Sequence, residues 1–283
     1  MKKLIIVTCM IWLASCGTVK QKSNFPAEKQ DLPAIAAIES QDQPARDPED
    51  SQDQLILATL WYQKSAEMRA LCYQCFRNAE VALAENLAWA GRTKPAAVVL
   101  DIDETLLDNS PFQGWQVLAQ KEFNNEDWLR WVELARAKPL PGSAEFTRYA
   151  DSLGVEVFYV SNRTVQEMGP TIKNMAALGF ANADSTHMLL KETTSSKVGR
   201  RALIEKDYEI ILLVGDNLAD HSGVYEKRDP DYGFAAVDED RRLFGTRYIV
   251  LPNPMYGNWL SEIMKQSPGT TTRQKMIELL ESF

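Results

Sequence analysis

The sequence predicts an α/β fold, in which a Rossmann-like, mainly parallel β-sheet carries a smaller helical domain or cap. Four short apolar runs have the composition of buried strands, and helical segments separate them along the chain. Because these runs are apolar at nearly every position, we expect helices to cover the sheet on both faces. Ligands of such sheets bind beyond the carboxyl ends of the strands, so the residues that follow each run are the candidates for a site.

The N-terminus has the pattern of a secretory signal peptide. Lys2 and Lys3 precede an apolar run that begins at Leu4, and the run closes on Leu-Ala-Ser followed by Cys16, which is a lipobox. The run is far shorter than the roughly 20 apolar residues that a helix needs to cross a bilayer. We therefore predict that residues 1–15 are removed and that Cys16 carries a lipid, which is the only membrane anchor we expect.

Residues 16–54 are predicted to form a flexible tether. The segment is rich in Gln, Asp, Pro, Ser and Glu and has almost no aromatic residue, so it cannot bury enough apolar surface to offset the entropy of ordering. A chain of this length reaches on the order of 30 Å. Gly17, next to the lipidated cysteine, is not an aspartate that retains a lipoprotein at the inner membrane. We expect a cell-envelope protein anchored in the outer membrane.

The predicted catalytic domain spans residues 55–283, and residues 55–92 and 107–142 are expected to contribute its helical cap. Helical stretches are predicted at Ser143–Leu153 and Met168–Leu178. The four strand-like runs, in chain order, are Ala96–Leu100, Val155–Val160, Ile210–Val214 and Tyr248–Leu251.

Charge and cysteine content exclude several classes of function. The formal net charge is −8, and loss of the two lysines in residues 1–15 makes it −10, which argues against binding a nucleic acid polymer. Cys72 and Cys75, with His187 and His221, are too few and too dispersed for a tetrahedral zinc site. In an oxidising compartment the two cysteines form either a strained helical disulfide or two free thiols.

Polar residues follow three of the four apolar runs. Asp101 and Asp103 flank Ile102 directly after the first run, Ser161 follows the second, and Asp216 follows the third. Two carboxylates at one strand end suit a nucleophile and a proton donor. Carboxylates from the first and third strand ends also supply the oxygen ligands that Mg2+ prefers. The pattern therefore predicts a magnesium-dependent reaction at this edge of the sheet.

These residues resemble the motifs of the haloacid dehalogenase superfamily, and four aspartates are its phosphatase pattern. The motifs here are Asp101-x-Asp-x-Thr, Ser161, Lys197 and Gly215-Asp-x-x-x-Asp220. The longer strings that begin at Asp101, Gly215 and Pro252 are similar to those of the class C nonspecific acid phosphatases, many of which are outer-membrane lipoproteins. The resemblance covers about Leu55 to Trp259, and its long strings are specific.

The resemblance implies roles for the four aspartates. Asp101 would be the nucleophile that forms an aspartyl-phosphate. Asp103 would protonate the leaving oxygen, then activate water, and bind Mg2+ through its backbone carbonyl. The metal site would comprise Asp101, Asp103, Asp216 and Asp220.

The resemblance also implies groups that hold the phosphate and the leaving group. Ser161 and Lys197 would bind phosphate oxygens, with Lys191 as the competing lysine. Trp128 and Tyr256 resemble the aromatic pair that sandwiches a nucleobase in this subgroup, although Trp128 also has the spacing of a core residue. For Trp115 and Trp131, elsewhere in the same insertion, we predict plain packing.

The sequence therefore predicts a Mg2+-dependent acid phosphatase that acts on small phosphomonoesters such as nucleoside monophosphates. Two alternatives stay open. One is a phosphotransferase on the same fold, which passes the phosphoryl group to an acceptor hydroxyl. The other is a non-enzymatic surface lipoprotein that binds an aromatic ligand such as haem. The resemblance also suggests a homodimer, which no residue of the sequence shows.

Overall fold

A five-stranded parallel sheet forms the centre of the molecule. The computed structural model describes residues 54–266 and 272–283. Within these ranges the strands are β1 (Ala96–Leu100), β2 (Leu107–Asp108), β3 (Lys138–Pro139), β4 (Glu156–Thr164), β5 (Met188–Lys191), β6 (Glu209–Gly215) and β7 (Tyr248–Val250). The strand order of the sheet is β5-β4-β1-β6-β7, while β2 and β3 form a separate antiparallel pair.

The four predicted strands are confirmed, and β1 lies at the middle of the sheet. Val98 pairs with Val157 on one side and with Leu212 on the other, and every residue of β1 is buried. The structure adds β5 at the edge of the sheet, where alternate side chains are only partly buried. The sequence predicts that Ser161 follows β4. In the structure β4 continues to Thr164, so Ser161 lies within it.

Helices cover both faces of this sheet. They are α1 (Gln54–Lys64), α2 (Ala66–Leu87), α3 (Ser110–Ala119), α4 (Asn125–Glu133), α5 (Ser143–Ser152), α6 (Met168–Ala177), α7 (Val198–Ile204), α8 (Phe234–Glu239), α9 (Asn258–Gln266) and α10 (Thr272–Glu278). None of the helices in the described ranges is long and apolar enough to cross a bilayer.

The two faces of the sheet bury two separate clusters of apolar side chains. Along β1, Val98 and Leu100 belong to the larger cluster, whereas Ala97 and Val99 belong to the smaller one on the opposite face. This alternation follows from the period of two in a strand. Burial of apolar surface at about 25 cal/mol per Å² stabilises both layers. The sheet is therefore a fixed platform for the residues that follow its strands.

Helix α2 contributes to the main core although the sequence assigns residues 55–92 to the cap. Phe76, Ala79 and Leu83 of this helix are buried in the larger cluster beneath the sheet. Helix α1 instead contacts α3, where Gln63 Nε2 donates to the carbonyl of Ser110 at 3.0 Å. The amphipathic pattern of a helix marks its buried face but does not identify the partner, so core and cap helices look alike in sequence. The predicted division into core and cap stays a prediction.

The described structure leaves the N-terminal predictions untouched and resolves the state of two cysteines. The predicted signal peptide (1–15), the lipidated Cys16 and all of the tether except residue 54 lie outside the described residues. Cys72 and Cys75 on α2 are free thiols. The structure therefore has two free thiols at these positions and not the helical disulfide.

His187, before β5, is held between two carboxylates at the edge of the sheet. Its Nδ1 lies 2.8 Å from Asp184 Oδ1, and its Nε2 lies 2.6 Å from Glu156 Oε1. Partial burial by itself lowers the pKa of His187, but the hydrogen bonds with Asp184 and Glu156 outweigh that effect and leave this pKa raised. The charged histidine therefore stabilises the fold below its unfolded pKa, and this contribution is lost as pH rises through the folded value.

We expect His187→Gln to lower the free energy of unfolding at pH 5.5 by about 1 kcal/mol, a value limited by solvent screening of the half-exposed Asp184. At pH 9 the loss should be much smaller, because the histidine is then neutral in the wild type. Urea unfolding of both proteins at the two pH values measures the difference. An equal loss at both would contradict the assignment.

Candidate active site

A tight turn after β1 places the first two aspartates. The N–H of Asp101 donates to the carbonyl of Val214 on β6 at 2.9 Å, which extends the sheet by one residue. The N–H groups of Leu106 and Leu107 both donate to the carbonyl of Ile102 at 2.9 Å and close the turn. Glu104 occupies the left-handed region of this turn, with φ 56°.

A second loop, after β6, carries the other two aspartates. Asn217 and Asp220 form a reciprocal capping box, in which the N–H of Asn217 donates to Asp220 Oδ2 at 3.0 Å. A side chain at Gly215 would overlap the carboxylate of Asp220, so the loop requires glycine there. The capping box therefore points the Asp220 carboxylate back toward the end of the sheet.

The two loops bring three carboxylates together. One oxygen from each of Asp101, Asp216 and Asp220 lies within 4.8 Å of the others. Burial, with the nearby charges of Asp220 and Asp103, raises the pKa of Asp101 to about 7 although Lys197 opposes the shift. Burial and the neighbouring carboxylates also raise the pKa of Asp216. Three hard oxygen donors at this spacing fit a divalent cation such as Mg2+, which would neutralise the excess negative charge.

Lys197, at the start of α7, is the cation that the structure places among these carboxylates. Its Nζ forms an ion pair with Asp101 Oδ1 and lies 2.7 Å from Asp220 Oδ1. The lysine is 95% buried, and the two aspartates raise its pKa although burial alone would lower it. Lys191 lies at the end of β5 and lines the same cavity, but no ion pair joins it to these aspartates among the described residues.

The Asp103 carboxylate is held by Arg163, a residue to which the sequence assigned no role. Arg163 NH2 donates to Asp103 Oδ1 at 2.8 Å, and its Nε donates to the same oxygen at 3.0 Å. Asn109 Nδ2 donates to Oδ1 as well, at 2.8 Å. A guanidinium fork in this geometry fixes a carboxylate in orientation as well as charge. Arg163 therefore positions Asp103, which is separate from the cluster of three carboxylates.

Ser161 lies beside Asp103 and is completely buried. Its Oγ is 3.4 Å from Asp103 Oδ2 and accepts a hydrogen bond from the N–H of Arg163 at 3.1 Å. Its carbonyl accepts a hydrogen bond from Arg200 of α7. The predicted phosphate contact of Ser161 stays a prediction, because the serine hydroxyl is engaged within the protein here.

Two further residues tie the loops together. Thr105 Oγ1 lies 3.1 Å from Asp216 Oδ1 and accepts a hydrogen bond from the N–H of Asp216 at 2.9 Å. Asn253, after β7, donates from Nδ2 to Asp216 Oδ2 at 2.8 Å. Both residues stand inside the strings that carry the family resemblance, but nothing in their spacing identifies Asp216 as their partner. Arg163 follows Ser161 and Asn162 in the sequence, but only the folded structure shows that it contacts Asp103.

A cavity of about 710 Å³ opens over this site. The charged residues that line it include Asp101, Asp103, Lys197 and Asp216. Helices α3 and α4 contribute another part of the wall, which includes Trp128, and the chain after β7 contributes Tyr256. Further lining residues are Gln113, Gln116, Phe123 and Lys191. Charged and aromatic side chains thus line one cavity.

Trp128 is both a packed residue and part of the cavity wall. It is 9% exposed, and its ring lies edge to face with Phe112 at a centroid distance of 5.2 Å. Its Nε1 donates to Glu167 Oε2 at 3.2 Å, and the guanidinium of Arg163 lies 5.6 Å from its ring centroid. The structure brings Trp128 and Tyr256 to one cavity, but most of the Trp128 ring is covered by protein.

Trp115 and Trp131 make packing and hydrogen-bonding contacts. Trp115 stacks on Phe112 at 5.7 Å between centroids, and Trp131 Nε1 donates to Asn109 Oδ1 at 2.9 Å. Trp131 thereby holds Asn109, which in turn donates a hydrogen bond to Asp103.

Curated relatives of the chain include plant proteins. Acid phosphatase 1 of Solanum lycopersicum is 27% identical over 167 residues, which cover 56% of the chain and 57% of that protein. Stem 28 kDa glycoprotein of Glycine max is 25% identical over 167 residues, covering 56% of the chain and 58% of that protein. The chain thus spans somewhat over half the length of these relatives.

Among solved structures, the chain is similar to a class C acid phosphatase. It matches the class C acid phosphatase of Bacillus anthracis with tungstate bound, with a TM-score of 0.77 and 37% identity over 82% of this chain and 98% of that one. The model of haloacid dehalogenase superfamily subfamily IIIB, the acid phosphatases, matches residues 23–259. The chain belongs to this acid phosphatase family, which confirms the predicted resemblance and fold.

We expect Lys197→Met to reduce phosphatase activity about 100-fold or more, because the change removes the buried cation beside Asp101 and Asp220. Lys191→Met is the matched control, and its loss should stay below about tenfold. Initial rates of phosphate release measure both, and circular dichroism shows whether each variant is folded. A larger loss in Lys191→Met than in Lys197→Met would reverse the assignment.

Proposed function

We propose that this protein is a Mg2+-dependent acid phosphatase that hydrolyses small phosphomonoesters, nucleoside monophosphates among them, through an aspartyl-phosphate. The observation that supports this proposal best is the Asp101 carboxylate, which lines the cavity beside Lys197 and within the cluster of three carboxylates. Family membership supports the reaction class.

In the first step, a carboxylate oxygen of Asp101 forms a bond to phosphorus while the ester bond between phosphorus and the leaving oxygen breaks. Lys197 stabilises negative charge on the phosphoryl oxygens, and the Asp103 carboxyl gives its proton to the leaving oxygen. Arg163 keeps Asp103 at the cavity wall during this transfer.

In the second step, water forms a bond to phosphorus and the bond between phosphorus and Asp101 breaks. Asp103, now a carboxylate, takes the proton from the attacking water, which restores both aspartates. Asp101, Asp216, Asp220 and the backbone carbonyl of Asp103 would hold Mg2+. Its chemical contribution is to neutralise the phosphate charge among these carboxylates.

The cavity suits a phosphomonoester with an aromatic leaving group. Trp128 and Tyr256 line the same cavity as the aspartates, and a base stacked on an aromatic side chain gains roughly 1 to 3 kcal/mol. The tungstate in the B. anthracis structure is a tetrahedral oxyanion, as phosphate is. These features favour nucleoside monophosphates over simple alkyl phosphates.

We also propose that the domain is held at the outer membrane by a lipid on Cys16 and by the tether that follows. The lipobox sequence and the composition of residues 16–54 support this proposal. The anchored domain would face either the periplasm or the cell surface.

We expect Asp101→Asn to abolish phosphate release from nucleoside monophosphates at pH 5 to 7, a loss of about 10³-fold or more, because the amide cannot act as the nucleophile. In the wild type, EDTA should remove activity and Mg2+ should restore it. The experiment measures phosphate release from the soluble domain that begins at residue 55, for both proteins.

A second measurement tests the covalent intermediate. When the wild type is mixed with a substrate labelled on its phosphate and rapidly quenched with acid, labelled phosphate should stay bound to the protein. The Asp101→Asn variant should retain none. Asp207→Asn, a change of an aspartate away from the site, is the control and should retain label. A folded wild type that releases no phosphate would instead favour the non-enzymatic alternative.

We expect Cys16→Ser to abolish incorporation of labelled palmitate into the full-length chain and to move it from the detergent phase to the aqueous phase after phase separation. Cys9→Ser, within the predicted signal peptide, is the matched control and should keep its lipid. Equal lipid labelling of wild type and Cys16→Ser would show that the anchor lies elsewhere.

A further inference from the structure

Glu104 is a buried acid at the active site that the mechanism above does not use. It follows Asp103 directly, its side chain is fully buried, and its φ of 56° is one that residues other than glycine rarely adopt. Such a conformation persists only where the surrounding contacts determine it, and it is typical of functional sites. The contacts of Glu104 therefore show what this strained position achieves.

Every polar atom of Glu104 has a partner. Its N–H donates to the carbonyl of Leu107 at 3.0 Å, and its own carbonyl accepts from the hydroxyl of Tyr62 at 3.3 Å. Carboxylate Oε1 accepts from the N–H of Asn109 at 2.8 Å, and Oε2 accepts from the hydroxyl of Tyr256. The last of these contacts spans 152 residues of sequence and joins the turn after β1 to the chain after β7.

Tyr256 is the cavity residue that this contact reaches. Its ring lines the cavity and also packs against the buried cluster that contains Met68, Leu140 and Met255. Packing restrains the ring, while the hydrogen bond at its far end fixes the direction in which the ring points. A side chain whose rotamer is fixed before binding loses less entropy when a ligand stacks on it.

We propose that Glu104 is a positioning residue: it holds Tyr256 in the cavity wall and thereby sets the preference of the site for phosphomonoesters with an aromatic leaving group. This inference rests on the proposed function. A turn after β1 could have a glycine at this position without strain. The glutamate carboxylate connects the turn that carries Asp101 and Asp103 to the surface that receives the leaving group.

The test compares two substrates, adenosine monophosphate and glycerol phosphate, as the ratio of their kcat/KM values. We expect Tyr256→Phe and Glu104→Ala each to lower this ratio about fivefold, mainly through the KM for adenosine monophosphate. In the double variant this ratio should be no lower than in either single variant, because both changes break the same contact. Glu104→Gln should keep the ratio within about twofold of wild type, since its amide can donate to the Tyr256 oxygen while its carbonyl accepts from Asn109.

Tyr62→Phe is the matched control. It removes a buried tyrosine hydroxyl that contacts the main chain of Glu104 and not its carboxylate, so the ratio should not change. If Glu104→Ala does not fold, Tyr256→Phe still decides the matter, because it removes one hydroxyl and keeps the ring. A wild-type ratio in Tyr256→Phe, or multiplied effects in the double variant, would overturn the inference. A wild type that hydrolyses neither substrate would instead overturn the proposed function.

Discussion

The site depends on one constraint, the concentration of carboxylates in a buried space. Asp101, Asp216 and Asp220 converge within 4.8 Å, and burial raises the pKa of both Asp101 and Asp216. Charges this close at low dielectric repel one another strongly, so the arrangement needs positive charge to remain ionised. Lys197 supplies one such charge from within the chain. A divalent cation would neutralise the negative charge that remains.

The fold provides this arrangement by placing the end of β1 between those of β4 and β6. The turn after β1 and the capped loop after β6 each present two aspartates, and Arg163 from β4 holds the one that stands apart. The result gives the two aspartates of the first turn different surroundings. Asp101 shares the cluster of three carboxylates with Lys197, while Asp103 has its own guanidinium and lies at the cavity wall.

The cavity wall shows a second form of long-range support. Trp128 is fixed by Phe112 and Glu167, and Tyr256 by Glu104 and a small apolar cluster. Trp128 and Tyr256 come from segments far apart in the chain. Trp128 is held by Glu167, which follows β4, and Tyr256 is held by Glu104, in the turn after β1. Of the two, Tyr256 is therefore tied directly to the turn that carries Asp101 and Asp103.

The sequence by itself determined the parallel sheet and the positions of the four aspartates, because strand composition and the spacing of strand-end motifs are local properties. It did not determine that Ser161 lies inside β4, that α2 packs on the sheet, or that Lys197 and not Lys191 meets Asp101. It gave no partner for Arg163, Asn253 or Glu104 either, since each contacts a residue at least 37 positions away. Only the tertiary structure decides such contacts, because they depend on which strand ends become neighbours when the sheet forms.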